Sequence, residues 1–188
     1  MATEVMSVSS EMMGMEADST IEMVNLTTET VNICEEYGRQ ICTLEKVDEK
    51  TNTSTISYYS VDLLIEYIKY SEVEPVELAL SDVDYSITDE KWAEGQAAIS
   101  AKDVFCNKKK YAEHLERIIY ANITSPIIVT EDGVIIDGCH RMAHAYWFNY
   151  ETIPAHIISM PFLEQFRVES PEPSHDDLTA IIRRFANL

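Results

Sequence analysis

Asp137-Gly138-Cys139-His140-Arg141 brings a carboxylate, a thiol, an imidazole and a guanidinium together around a glycine, the residue that lets a backbone turn without a Cβ clash. If this run opens a helix, the amides of Cys139, His140 and Arg141 are first-turn N–H groups with no intrahelical acceptor. The helix dipole adds partial positive charge beside them. Those donors and the forked Arg141 guanidinium suit a phosphate. Cys139, at a helix start beside His140 and Arg141, is expected to have a lowered thiol pKa and to act as a nucleophile; the alternative is a small residue that fits the turn. Asp137 could hold Mg²⁺ or a substrate hydroxyl, or cap the helix by accepting from the His140 amide. His140 could donate to phosphate or serve as an acid/base in its neutral form, or simply be hydrogen-bonded into the turn. An ion pair to Asp137 or Glu151 is the alternative for Arg141. His140 and His144 have the i, i+4 spacing of two metal ligands, with Asp137 or His156 as a third. With no Glu between them and no fourth ligand, no metal centre is assigned.

The elements around this run point the same way. Ile127 to Val129, the turn signal Asp132-Gly133 and Val134 to Ile136 predict a β-hairpin whose outgoing strand ends at Asp137, where the helix begins. The segment resembles the ParB/sulfiredoxin superfamily, whose members carry Gly-x-His-Arg or Gly-x-Arg-Arg at such a junction. Gly138-Cys139-His140-Arg141, Ala143 and the strand entry Glu151-Thr152-Ile153-Pro154-Ala155 look most like sulfiredoxin. Asp137 departs from it, standing where sulfiredoxins usually have Gly. A strand over Val76 to Leu80, a helix over Tyr111 to Tyr120 and the Pro126 strand follow that superfamily's order.

The resemblance implies an α/β (α+β) core with a small mixed sheet flanked by helices, over residues 56–165. It also implies nucleotide phosphates held by Gly138, Cys139, His140 and Arg141, with ATP (or ADP or CTP) and Mg²⁺ as cofactors and Asp137, Cys139 and His140 as the catalytic candidates. In sulfiredoxin the Cys of this motif is the catalytic thiol. It acts on a cysteine sulfinate, a state otherwise irreversible.

Ser100-Ala101-Lys102-Asp103 has the spacing of a reciprocal helix cap; it sits where sulfiredoxin-like proteins begin the helix whose first turn faces the nucleotide, and the resemblance makes Lys102 the candidate for a second phosphate contact, with a solvated Lys as the alternative. Ser60 is the expected N-cap of a helix burying Leu64, Ile65, Tyr67 and Ile68 before Pro75. Asp82 to Ala98 shows little periodicity and reads as a long loop. Residues 1–55 form an acidic accessory segment: 1–28 is expected to be disordered or a partner-dependent helix, Val31 and Ile33 pair with Ile41 to Leu44 across a turn near Tyr37-Gly38, and Lys50 to Thr55 is a polar linker. Residues 166–188 are a linker and a helix capped by Ser174 and Asp177. Its stripe of Leu178, Ile181, Ile182 and Phe185 docks on the chain's own core or, alternatively, makes a homodimer.

The 188 residues hold 14 Lys plus Arg against 33 Asp plus Glu, a net charge of −19. Such a chain repels polyphosphate, which disfavours duplex DNA but leaves a single nucleotide possible. No run approaches the roughly 20 apolar residues that span a bilayer, and no signal peptide is recognisable. The four cysteines, Cys34, Cys42, Cys106 and Cys139, lack CxxC spacing and are expected to be reduced thiols of a cytoplasmic protein, with a Cys34–Cys42 bridge as the alternative. The leading expectation is an ATP- and Mg²⁺-dependent enzyme transferring phosphoryl to a small acceptor or a cysteine sulfinate. The alternatives are a ParB-like nucleotide switch or nuclease acting on DNA, and a non-catalytic acidic interaction protein of a virus or mobile element.

Overall fold

The computed structural model describes residues 37–48, 50–94 and 97–186, all within one unit, 31–188. The expectations for residues 1–28, for Val31 and Ile33 and for a Cys34–Cys42 bridge lie outside the described residues.

Strands β1 (Ile41–Asp48) and β2 (Thr53–Ser60) form an antiparallel ribbon, with Ile41 opposite Ser60 and Asp48 opposite Thr53. The stretch expected as a linker is the turn of this ribbon and the start of β2. Asn52 takes φ +52° there, a conformation Asn tolerates, and Asp48 accepts from the amides of Lys50 and Thr51. A domain boundary at 55/56 therefore falls inside a strand. The first half of β2 is exposed at every position, so no buried face betrays it in the sequence.

Ser60 caps α1 (Val61–Tyr70) by accepting from the Leu63 amide, and the buried face is Val61, Leu63, Leu64 and Ile68. Asp62 in its first turn accepts from the amides of Arg39 and Gln40, which fixes the chain entering β1. After β3 (Val76–Ala79), the expected long loop resolves into 3-10 turns over Leu80–Asp82 and Asp84–Thr88 and a hairpin of β4 (Trp92–Glu94) and β5 (Ala97–Ile99). Each piece is too short for a hydrophobic period to show. Next come α2 (Ala101–Cys106), α3 (Ala112–Ile119), β6 (Ile127–Thr130), β7 (Ile135–Asp137), α4 (Cys139–Trp147), β8 (Thr152–Ile158), α5 (Met160–Leu163), β9 (Arg167–Val168) and α6 (His175–Ala186).

The main sheet has the order β3-β8-β6-β7. Its β6–β8 pair is parallel and the others antiparallel, so the fold is α+β with a mixed sheet. β6 is buried at every position, the pattern of a strand covered on both faces. Ile127, Val129, Ile135, Met142, Ala143, Ala145, Ile153 and Ala155 pack with Val83, Val104 and Ile118 in one core, which anchors the β7–α4 junction from below.

The tail closes on the chain itself. β9 pairs with the free edge of β2, Tyr58 facing Val168, and Ser174 and Asp177 make the expected reciprocal cap. Leu178, Ile181 and Phe185 are buried, and the Phe185 ring lies 4.6 Å from that of Tyr67 and 4.8 Å from that of Phe166. This stripe is thus covered intramolecularly. Among the described residues no helix is long and apolar enough to cross a membrane.

Candidate functional site

Gly133, at φ +83°, turns the β6–β7 hairpin, and Gly138, at φ +96°, passes the chain from β7 into α4. The second glycine is obligatory. A Cβ there would lie 2.6 Å from Ile127 Cγ2, and Ile127 is fully buried and has nowhere to go. No side chain caps α4; its first internal bond runs from the Met142 amide to the Gly138 carbonyl at 2.9 Å.

Asp137 does not take the capping role offered by the sequence. Its Oδ1 accepts from Gln40 Nε2 at 2.8 Å and its Oδ2 from Arg141 Nη2 at 2.6 Å, so the ion pair weighed for Arg141 is formed, to Asp137. The same Nη2 donates to the Pro126 carbonyl at 3.1 Å, while Arg141 Nε is buried with no hydrogen-bond partner. These groups face a cleft of about 490 Å³ lined by Asp137 to Arg141, by Gln40 and Cys42 from the β1 side, and by Glu90, Lys91 and Trp92.

His140 sits at the cleft's inner wall. Its Nε2 is 3.2 Å from His114 Nδ1, and the Trp92 indole stacks on both rings, 4.3 Å from His140 and 5.0 Å from His114 between centroids. Burial pushes the His140 imidazole down to about 4, with His114, Arg117 and Arg141 acting in the same direction. It is neutral at pH 7, as expected, but through desolvation more than through the helix dipole. His144, one turn on, is 2.8 Å from the Ile118 carbonyl through Nδ1. Among the described residues no three His, Cys, Asp or Glu side chains are grouped to hold a metal.

The expectation of a lowered thiol pKa at Cys139 is overturned. Burial pushes it up to about 11; the positive charge of Lys91 opposes this and the negative charge of Asp137 adds to it. The helix-start argument counts the dipole but not the desolvation of a thiol packed against the core, and here desolvation wins.

The structure brings Asp137, Gly138, Cys139, His140 and Arg141 together at one cleft, but not Lys102, which is exposed on α2 and does not line it. The lysine that lines the cleft is Lys91. Gln40, Lys91, Trp92 and His114 escaped sequence reasoning. Of these, only Trp92 carried a signal, as a large aromatic in a segment without periodicity. Comparison of the chain with models of known families, with curated proteins and with solved structures returned no match.

Proposed function

We propose that the chain binds a nucleotide in the manner of the ParB/sulfiredoxin superfamily, and that its chemistry is phosphoryl transfer from ATP to a small hydroxyl-bearing acceptor. One observation carries this reading: α4 starts at a left-handed glycine, uncapped by any side chain, and opens onto a cleft shared with Arg141 and Lys91. Main-chain donors, a guanidinium with a buried unpartnered Nε and an ammonium suit a phosphate group. The β6–β7–α4–β8 arrangement, with β6 and β8 parallel, is compatible with the core that the motif implies.

The residues present also suit Mg²⁺, which is bound by one or two carboxylates together with substrate phosphates. Asp137 and Glu90 line the cleft. The ion would supply charge neutralisation at the phosphates. His140, neutral at pH 7 but a weak base with its pKa near 4, would orient an acceptor hydroxyl by hydrogen bonding. A hydroxyl acceptor is preferred over a cysteine sulfinate because Cys139, with its pKa raised to about 11, is protonated at neutral pH.

Titration calorimetry with ATP, ADP and CTP in Mg²⁺ tests this. Binding of ATP or ADP, weakened at least about tenfold in Arg141→Ala, is the expected outcome. CTP preference would redirect the assignment to a ParB-like switch, and no binding to any of the three would overturn it.

A second reading, the interaction protein, is favoured by a surface feature. α3 and α4 run parallel, His114 meeting His140 and Ile118 meeting His144. Their C-terminal ends leave Tyr120 79% exposed and Phe148 49% exposed, beside Tyr146, Trp147 and Tyr150. Exposed aromatic groups of this kind mark contact surfaces. A partner that still binds Arg141→Ala with full affinity would favour this reading.

A further inference from the structure

Cys42 and Cys139 are far apart in the chain and face the same cleft. Gln40 Nε2 bonds to Asp137 Oδ1 at 2.8 Å, which fastens the entry of β1 to the end of β7. Cys42 follows Gln40 by two residues along an extended chain, and so lies on the same side of it. Cys139 follows Asp137 by two residues across the Gly138 turn. Both thiols thus line the cleft at which this hydrogen bond joins β1 to β7. Their electrostatics agree: a charge on Cys139 raises the Cys42 thiol, and Lys91 favours the thiolate of both. Both are free thiols, as is Cys106, which is exposed elsewhere.

We propose that Cys42 and Cys139 form a redox-active dithiol, which a small-molecule disulfide such as oxidised glutathione converts into a bridge between β1 and the start of α4. One thiolate attacks the small disulfide, forming a mixed disulfide and expelling one thiolate of the reagent. The second protein thiol loses its proton and attacks the protein sulfur of that mixed disulfide, expelling the other. The protein dithiol gives up two electrons, the reagent disulfide is reduced to two thiols, and the two protein protons end on them. Lys91 is the cleft cation that stabilises the attacking thiolate. None of this depends on nucleotide binding.

The test uses the full, reduced chain without nucleotide in a glutathione redox buffer at pH 8, quenched in acid and mapped as unreduced peptides. The expected product is a Cys42–Cys139 cross-linked peptide, formed equally in Cys106→Ser. Cys42→Ser should stop with one glutathione on Cys139, without resolving. Linkage of Cys139 to Cys34 or Cys106 would overturn the proposal. So would full modification of exposed Cys106 while Cys42 and Cys139 stay reduced at every glutathione ratio.

Discussion

At Ser100 the start of α2 is closed by its own side chains, whereas at Gly138 the start of α4 is left open. Ser100 Oγ accepts from the Asp103 amide at 3.2 Å, and Asp103 Oδ2 accepts from the Ser100 amide at 2.9 Å and from its hydroxyl at 2.6 Å. The α4 start has no such partner, and Asp137, its neighbouring carboxylate, is turned away to Gln40 and Arg141. A capping side chain stabilises a helix start by about 1 kcal/mol. The fold forgoes that at α4 and spends backbone freedom there instead, at a glycine wedged against Ile127. The closed start serves stability; the open one is closed by no side chain.

The largest effect should come from giving the open start a side chain. Gly138→Ala forces an L-residue into φ +96° and a Cβ against Ile127, and should cost about 3 kcal/mol in urea denaturation and abolish phosphate binding. A stability unchanged within error would show that the junction is not under the constraint described. Asp137→Ala removes the ion-pair partner of Arg141 and the acceptor of Gln40 Nε2 and should cost about 2 kcal/mol by the same measurement. Ser100→Ala should cost about 1 kcal/mol while leaving ADP affinity untouched; a change in affinity would erase the contrast between the two starts.

The pH dependence is smaller. His140 is held near 4 in the folded chain, below its ordinary 6.5, so the unfolded chain binds the proton first. Its contribution to stability is complete above about pH 6.5 and is lost as pH falls from there toward 4. The loss should be about 1 kcal/mol once the ring's remaining contact with water is allowed for. Burial lowers His156 too, so the slope should flatten, not vanish, in His140→Gln. The smallest effect separates two lysines: Lys91→Ala should weaken ADP binding about threefold, and Lys102→Ala should not change it.

What the sequence made legible followed from local rules. The β6–β7 hairpin, the Gly138 turn, the caps at Ser60, Ser100 and Ser174 and the stripe on α6 each depend on residues within a few positions of one another. The other side of the cleft was not legible. Gln40, Lys91 and Trp92 reach it from a strand entry and from a hairpin of two three-residue strands, and nothing local marks where such pieces fold. Lys102 stands on a helix that its reciprocal cap makes recognisable, whereas nothing local marks Lys91. Cys139 shows a different limit: its neighbours in sequence favour the thiolate, while the core it packs against, unseen in the sequence, reverses the sign.

The pairing of β9 with β2 has a consequence for shortened versions of the protein. Cutting the chain after Phe166 would remove β9 and α6 together, baring the backbone donors and acceptors along that edge of β2 and the Tyr67 and Phe166 rings that Phe185 covers. An open strand edge beside uncovered aromatic rings is a template for intermolecular pairing. Such a truncation should leave the α4 junction intact yet aggregate, and its insolubility would say nothing about the cleft.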